Sequence, residues 1–273
     1  MYTPHWYASA MLRSWFSSRR TLPLALCLLV GPLSLALAAM PATEQAPPAQ
    51  PASKPPPISI VPAPRTDGAV DRQSEVVRRV REAKGTVPLV FLGDSITQGW
   101  EGAGKDAWQK SIGPLGALNI GVSGDRTEHV LWRLKEAPLT PLAPKAIVVM
   151  IGTNNLGHGS SNAEETLLGV QTIVSTLRTQ CPGATILLCG IFPRGDRFNA
   201  MRGDLCQINQ ALRRMASDHV TFLDFGHRFL KDDGTIGTEL MPDHLHLAPT
   251  AYGIWAEEVM PSITKALEGK KGS

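Results

Sequence analysis

The most informative segment of the chain is Leu89-Val90-Phe91-Leu92-Gly93-Asp94-Ser95-Ile96-Thr97. Its first four residues are apolar, as in a strand that is buried on both faces. Glycine, aspartate and serine then interrupt the apolar run and are typical of a turn that leads into a helix. The stretch therefore predicts a buried strand that presents Ser95 at its carboxyl end.

The rest of the chain repeats this alternation of strand and helix. Apolar, β-branched runs occur at 88–92, 117–122, 146–151, 185–192 and 220–225. Helix-patterned segments occupy 70–83, 126–136, 163–180, 203–217 and 250–268. Apolar strands separated by amphipathic helices are typical of a parallel sheet that is covered on both faces. We therefore predict an α/β fold, a three-layer α/β/α sandwich with a central five-stranded parallel sheet.

The N-terminal residues have the three parts of a secretory signal sequence. Residues 13–20 carry three arginines and no acidic residue, residues 21–39 are almost wholly apolar, and Ala36-Leu37-Ala38 offers small residues to a signal peptidase. We predict a signal peptide over 1–38 and an exported protein, periplasmic or secreted. Two alternatives stay open: Arg19-Arg20 fits a twin-arginine export signal, and an uncleaved leader would anchor the protein to a membrane.

The amino-acid composition predicts the remaining domain boundaries. Residues 41–66 are rich in proline and alanine and lack apolar periodicity. Such a segment cannot bury enough surface to fold and favours extended, polyproline-like conformations. We predict a disordered Pro/Ala-rich linker over 39–69, one folded domain over 70–268 and a disordered tail over 269–273.

The net charge of the chain lies in its leader. The whole chain has 27 basic and 24 acidic residues, and residues 1–38 hold three of the basic residues and none of the acidic ones. The chain without its leader is therefore neutral, with no basic patch for nucleic acid and no charge excess for an anionic membrane. The expected partner is a neutral or zwitterionic small molecule, and membrane contact is expected only through an uncleaved leader.

The cysteines do not form a complete disulfide framework. Cys27 lies in the leader, which leaves an odd number in the rest of the chain. Cys189 falls in a predicted strand and is expected to be a small buried residue. Cys181 and Cys206 could pair in an oxidising compartment, and the sequence leaves that question open.

The segment Asp243-His244-Leu245-His246 places a carboxylate and an imidazole three residues apart. A serine hydroxyl, an imidazole base and a carboxylate that orients the base are the minimum set for a serine esterase. We predict Ser95 as the nucleophile, His246 as the general base and Asp243 as its orienting acid, with no metal and no organic cofactor. Asp94 is expected to bond to backbone in its turn and to take no part in the chemistry.

Zinc is the competing interpretation of the same loop. Asp243, His244 and His246 are possible ligands, with His227 as a distant fourth. Alternate residues of an extended loop point in opposite directions, however, and no cluster of cysteine or glutamate completes the set. A metal site is therefore the weaker hypothesis.

Taken in order, these motifs resemble the SGNH (GDSL) hydrolase family. Gly-Asp-Ser at 93–95, Gly-Thr-Asn-Asn at 152–155 and Asp-x-x-His at 243–246 carry the likeness. Within that family, the stretches 117–134, 192–195 and 244–247 are similar to the catalytic subunits of type I platelet-activating factor acetylhydrolase.

The resemblance implies an SGNH hydrolase domain with a flavodoxin-like sheet. It also implies an oxyanion hole made by the Ser95 N–H, the Gly124 N–H and the Asn154 side chain, for which Gly121 and Asn155 are the neighbouring alternatives. Without the resemblance, a turn glycine and a loop cap explain Gly124 and Asn154 equally well.

The implied activity is hydrolysis of a short-chain acyl ester, above all an acetyl ester of a lipid or a carbohydrate. The short connections predict an open site without a lid, which suits a small acyl group. A carbohydrate O-acetylesterase or a lysophospholipase or thioesterase would use the same residues. A non-enzymatic binding module on this fold would have no use for the whole set. The resemblance also implies a homodimer.

Overall fold

The computed structural model describes residues 54–83 and 85–269. In this part of the chain the strands are β1 (Leu89–Gly93), β2 (Ala117–Asn119), β3 (Ala146–Met150), β4 (Thr185–Cys189) and β5 (Val220–Leu223). They form one parallel sheet in the order β2-β1-β3-β4-β5. Leu89 of β1 pairs with Ala117 on one side and with Ala146 on the other. Strand β1 therefore lies inside the sheet, and its apolar run is buried on both faces as predicted.

Helices cover both faces of the sheet. They are α1 (Val70–Glu82), α2 (Ser95–Gln98), α3 (Lys105–Ala107), α4 (Thr127–Glu136), α5 (Thr153–Gly157), α6 (Ala163–Gln180), α7 (Ala200–Leu212) and α8 (Pro249–Glu268). Val90 and Leu92 pack with α1, α4, α6 and α7 on one face, and the alternating Leu89 and Phe91 pack with α8 on the other. The predicted three-layer α/β/α sandwich around a five-stranded parallel sheet is confirmed.

A cluster of buried aromatic side chains packs α8 against the sheet. Trp100 and Trp255 are at most 1% exposed, and their ring centroids lie 5.1 Å apart. Phe91 of β1 meets Trp100 edge to face at 5.9 Å. Replacing either tryptophan with alanine would lower the free energy of unfolding by about 3–5 kcal/mol. Because the loop that carries His246 runs directly into α8, the same cluster anchors that loop.

The predicted linker over 39–69 is wrong in its second half. Residues 58–67, which we call the N-terminal strap, pack against α4 and α6. The Ser59 carbonyl accepts a hydrogen bond from Thr127 Oγ1 at 2.8 Å, and the Ala63 N–H donates to the Glu128 carbonyl at 3.2 Å. Contacts with the folded domain order this segment, and its proline-rich composition gave no indication of them.

Several sequence predictions lie outside the described residues: the signal peptide at 1–38, the linker at 39–53 and the tail at 270–273. Within the described ranges, no helix is both long and apolar enough to span a bilayer. The thiols of Cys181 and Cys206 are not joined to each other. Cys189 is buried in β4, as the sequence predicts.

Candidate active site

Ser95 is the first residue of α2, immediately after β1. The preceding Asp94 caps this helix, because its Oδ1 accepts a hydrogen bond from the Ile96 N–H at 3.0 Å. Gly93 is required by close packing, since a Cβ there would lie 2.3 Å from the Met150 carbonyl oxygen and 2.2 Å from Thr97 Oγ1. The motif Gly-Asp-Ser thus directs the Ser95 side chain to the carboxyl edge of the sheet.

Ser95, His246 and Asp243 form one hydrogen-bonded chain. Ser95 Oγ lies 2.9 Å from His246 Nε2, and His246 Nδ1 lies 2.6 Å from Asp243 Oδ2. When the Nδ1–H of His246 donates its hydrogen bond to the Asp243 carboxylate, Nε2 carries no proton and can accept the one from the Ser95 hydroxyl. This is the arrangement that nucleophilic activation of a serine requires.

Asp243 holds both the ring and the backbone of this loop. Its Oδ1 accepts the N–H groups of Leu245 at 3.1 Å and His246 at 2.7 Å. His244 turns the chain between them with a left-handed φ of 57°. Partial burial raises the pKa of Asp243, but these hydrogen bonds and the one to the His246 ring outweigh it and hold the pKa below its usual range. Asp243 is therefore ionised when it orients the imidazole.

The triad lies open to solvent. The side chains of Asp243 and His246 are 56% and 47% exposed. An apolar cavity of about 440 Å³ is lined by α7 and by the segments after β4 and β5, and no triad residue borders it. These three side chains thus occupy a shallow surface site.

Asp94 differs from Asp243 in its surroundings. It is fully buried, and burial raises its pKa to about 7 against the opposing effects of the Ile96 N–H and of the nearby His246 and Arg194 charges. Its hydrogen bond to the turn is the role expected from the sequence. Asp94 makes no hydrogen bond with the ring of His246 among the contacts of the described residues.

The loop after β2 brings Gly124 to the same edge of the sheet. Gly124 has a left-handed φ of 72°, a conformation that favours glycine. The loop packs on α2, because the Ser123 N–H donates to Gln98 Oε1 at 2.7 Å. Gly121, the alternative candidate, already donates its N–H to Asn119 Oδ1 at 2.9 Å. Of the two glycines, Gly124 is the one that can offer its N–H to a substrate.

Asn154 lies in α5, directly after β3, and contacts the Gly124 loop. Its Nδ2 donates to the Asp125 carbonyl at 3.0 Å, which uses one of its two N–H groups. Asn155, the alternative, is fully buried and bonded to α4: its Oδ1 accepts from the Thr127 N–H at 3.0 Å and its Nδ2 donates to Thr127 Oγ1 at 3.0 Å. The adjacent asparagines therefore have different tasks, and Asn154 retains a free donor.

Arg194 and Gly195 connect α5 with the triad loop. Arg194 Nη1 donates to both the carbonyl and the Oγ1 of Thr153 at 3.2 Å. The Gly195 N–H donates to the His244 carbonyl at 2.8 Å. The segment after β4 thereby sets the position of the triad loop relative to Asn154.

The side chains proposed as zinc ligands do not converge. His244 Nδ1 donates to the Ile236 carbonyl at 3.1 Å, whereas His246 is engaged by Asp243 and Ser95. No group of three or more His, Cys, Asp or Glu side chains suited to a metal ion occurs within 54–83 and 85–269. The residues of this loop are arranged for hydrogen bonding.

Sequence reasoning missed the residues that support the Gly124 loop. Asp125 is fully buried and pairs with Arg133 of α4 and with Arg65 of the N-terminal strap, the latter at 3.0 Å. The pair with Arg65 spans 60 positions of the chain, and such an ion pair leaves no periodic or local pattern. The buried acid was visible only as part of Ser-Gly-Asp.

Known proteins are similar to this chain in sequence. A model of the GDSL-like Lipase/Acylhydrolase family matches residues 91–254. Platelet-activating factor acetylhydrolase IB subunit alpha1 from Homo sapiens is 38% identical over 205 residues, which are 74% of this chain and 84% of that protein. The corresponding subunit alpha2 from Gallus gallus is 37% identical over 194 residues, or 70% of this chain and 82% of that protein.

A solved structure shows the same fold. The crystal structure of a GDSL-like lipase from Bacteroides thetaiotaomicron matches with a TM-score of 0.60 and 18% identity, covering 72% of this chain and 98% of that one. Fold and comparisons together define a carboxylic ester hydrolase built on an α/β/α sandwich. The chain belongs to the GDSL-like lipase/acylhydrolase family, as the motifs predicted.

Proposed function

We propose that the protein is a serine esterase that works through a covalent acyl-enzyme. The observation that carries this proposal is the chain of hydrogen bonds from Ser95 Oγ to His246 Nε2 at 2.9 Å and from His246 Nδ1 to Asp243 Oδ2 at 2.6 Å. Ser95 is the nucleophile, His246 the general base and Asp243 the group that holds the imidazole tautomer.

The reaction has two halves. Ser95 Oγ attacks the ester carbonyl while His246 takes the hydroxyl proton, and the imidazolium then gives that proton to the departing alcohol. Water next attacks the acyl-Ser95 ester, again with His246 as base, and releases the carboxylic acid and the free serine. Throughout, Asp243 remains ionised and stabilises the imidazolium.

Each tetrahedral intermediate carries a negative oxygen that needs hydrogen-bond donors. We assign this role to the Ser95 N–H, the Gly124 N–H and the second N–H of Asn154 Nδ2. The loop contacts at Ser123 and Asp125 support the assignment, because they place the last two donors in one connected unit beside α2. Each donor in such a hole contributes about 2.7–4 kcal/mol of transition-state stabilisation.

The proposed substrate is an ester of a short acyl group, with acetyl favoured. Two independent observations support this: the shallow, solvent-exposed triad and relatives whose name is acetylhydrolase. A long acyl chain needs an apolar channel at the serine. The apolar cavity described above, which lies among α7 and the segments after β4 and β5, is bordered by none of the triad residues.

The decisive experiment combines acyl-chain profiling with a serine variant. We expect p-nitrophenyl acetate to be hydrolysed with a much higher kcat/KM than the octanoate. Ser95→Ala should abolish turnover, whereas Ser175→Ala, on the exposed surface of α6, should not change it. A preference for octanoate would indicate a lysophospholipase or thioesterase, and full activity in Ser95→Ala would refute the mechanism.

Two further measurements test the chemistry of the site. An organophosphonate should label one residue per chain, and peptide mass spectrometry should locate it at Ser95. EDTA should leave the activity unchanged, since no step uses a metal. Activity that is lost in EDTA and restored by zinc would contradict the proposal.

We also propose export and dimer formation, both of which rest on the sequence. The basic, apolar and small-residue parts of residues 13–39 support cleavage after residue 38. N-terminal sequencing of the protein from the culture medium or the periplasm tests cleavage. Sedimentation equilibrium tests the homodimer, which the resemblance to the acetylhydrolase subunits suggests.

A further inference from the structure

Arg65 of the N-terminal strap forms hydrogen bonds with the residues on both sides of Gly124. Its Nη1 donates to the Ser123 carbonyl at 2.6 Å and to Asp125 Oδ1 at 3.0 Å. A Cβ on Gly124 would lie 2.9 Å from Arg65 Nη2 and 3.2 Å from Nη1. The guanidinium thus lies directly against the bare Cα of Gly124, whose backbone N–H is one of the donors assigned to the oxyanion.

The strap holds the other edge of the same guanidinium. Arg65 Nε and Nη2 donate to the two carboxylate oxygens of Asp67 at 3.0 and 2.5 Å. The hydrogen bonds from Arg65 hold the pKa of Asp67 at about 2, so this carboxylate stays charged. The Arg65 N–H also donates to Gln73 Oε1 of α1 at 2.8 Å. A planar fork bound along both edges has a fixed orientation, which a single lysine ammonium cannot reproduce.

Asp125 carries the effect of Arg65 to Asn154. Its fully buried carboxylate pairs with Arg65 and with Arg133, and its own carbonyl accepts the hydrogen bond from Asn154 Nδ2 at 3.0 Å. Burial, together with the nearby charges of Arg126 and Arg65, lowers the pKa of the adjacent His129 to about 4, so His129 adds no positive charge near neutral pH. The two arginines are therefore the cations that compensate the buried acid.

We propose that Arg65 is a positioning residue for catalysis. Through Arg65, the N-terminal strap fixes the Gly124 N–H and, by way of Asp125, the Asn154 amide in the positions from which both donate hydrogen bonds to the oxyanion. The proposal rests on the serine-esterase function proposed above. It makes the strap a part of the active site, although the strap touches neither the triad nor the scissile bond.

The expected kinetic effect follows from the stage of the reaction at which the oxyanion exists. The donors face a neutral carbonyl in the ground state and a negative oxygen in the transition state. If Arg65→Met lets the loop shift by a fraction of an ångström, kcat should fall by roughly 10- to 100-fold while KM stays nearly constant. Asp67→Asn, which loosens the same guanidinium from its exposed side, should produce a smaller fall in kcat of the same kind.

The experiment measures kcat and KM on p-nitrophenyl acetate for the full chain and its Arg65→Met, Arg65→Lys, Arg65→Ala, Asp67→Asn and Arg78→Met variants. Arg78 is the matched control, because it lies on α1 and, among the described residues, pairs only with the exposed Glu82 at 2.6 Å. Assays are made well below the melting temperature of each variant. Added methylguanidine should restore part of the kcat of Arg65→Ala and should not affect Arg78→Met, a rescue that a mere loss of fold would not give.

Ser95→Ala, assayed in parallel, separates this proposal from the one on which it rests. An inactive Ser95→Ala together with wild-type kcat in Arg65→Met and Asp67→Asn overturns the role of Arg65 and leaves the esterase mechanism intact. An increase in KM at unchanged kcat also overturns it. An active Ser95→Ala overturns both. If Arg65→Met fails to fold, the kcat of Asp67→Asn and the methylguanidine response decide.

Discussion

Asp94 provides a direct test of how burial controls this site. Its carboxyl group is fully buried, Oδ1 accepts the Ile96 N–H, and Oδ2 has no hydrogen-bond partner among the described residues. Burial raises its pKa from 3.8 to about 7. The native state therefore binds the Asp94 proton more tightly than the unfolded chain does.

The consequence is a loss of stability as the pH rises. Where the unfolded chain has released this proton and the native state has not, each pH unit costs about 1.4 kcal/mol. With pKa values of 3.8 and about 7, the contribution of Asp94 to the free energy of unfolding falls by about 2.5 kcal/mol between pH 5 and pH 8 and levels off above the native pKa. Asp94→Asn removes the titrating group and with it this decline.

Urea unfolding of the wild type and Asp94→Asn at pH 5, 6, 7 and 8 measures the effect. The wild type minus variant difference in free energy of unfolding should fall most between pH 5 and pH 7 and only a little between pH 7 and pH 8. Asp106→Asn, at an exposed position in α3, is the control for a change of one carboxyl group. A difference that is constant with pH, or that rises, would refute the assignment of a burial-raised pKa to Asp94.

Three other substitutions test separate features. Asp243→Asn should reduce kcat on p-nitrophenyl acetate by about 10³- to 10⁴-fold with little change in KM, since the His246 ring then loses the group that fixes its tautomer. Tyr252→Phe removes a buried hydrogen bond of 2.7 Å to the Ile96 carbonyl and should lower the free energy of unfolding by about 1 kcal/mol in urea titrations; an unchanged midpoint would contradict this. Gly152→Ala forces a side chain to a φ of 123° and should cost about 1–3 kcal/mol in the same assay, and a neutral result would show that the backbone relaxes there.

Local patterns were sufficient to predict most of the fold. Helix α6 spans 163–180, as its periodicity predicts, and Asn162 and Glu165 form a capping box at its start. Strand β2 is shorter than the predicted 117–122, because regular pairing ends at Asn119, whose side chain bonds to the Thr97 carbonyl and the Gly121 N–H. Beyond it, the N–H groups of Ile120 and Val122 still donate to carbonyls of β1. The error is one of boundary, where tertiary hydrogen bonds decide.

The π-helical turn at Trp108–Ile112 is a different kind of miss. Its five residues have neither the length nor the spacing to stand out as a helix. They are ordered by packing, since Trp108 meets Phe91 edge to face at 5.2 Å. Such a segment is set by the shape of the aromatic cluster beside it.

The candidate site, like the fold, contains residues that local sequence patterns predict and a residue that they do not. Asp243 and His246 are three residues apart, so their pairing could be read from one loop, and the alternation of strands placed Ser95, Gly124 and Asn154 on one edge. Arg65 could not be found in this way. Its partner Asp125 is 60 positions further along the chain, and proline-rich composition around it predicted disorder.

The hydrogen bond between Ser95 and His246 joins residues 151 positions apart. Ribosomes synthesise Ser95 long before His246, and α8, which anchors the His246 loop, follows both. Under the proposed mechanism, a nascent polypeptide that lacks His246 therefore holds a serine hydroxyl that no base activates, and ester cleavage requires this later segment to be made and folded. Colour from a chromogenic ester would accordingly report, colony by colony, which members of a mutant library have reached the native state.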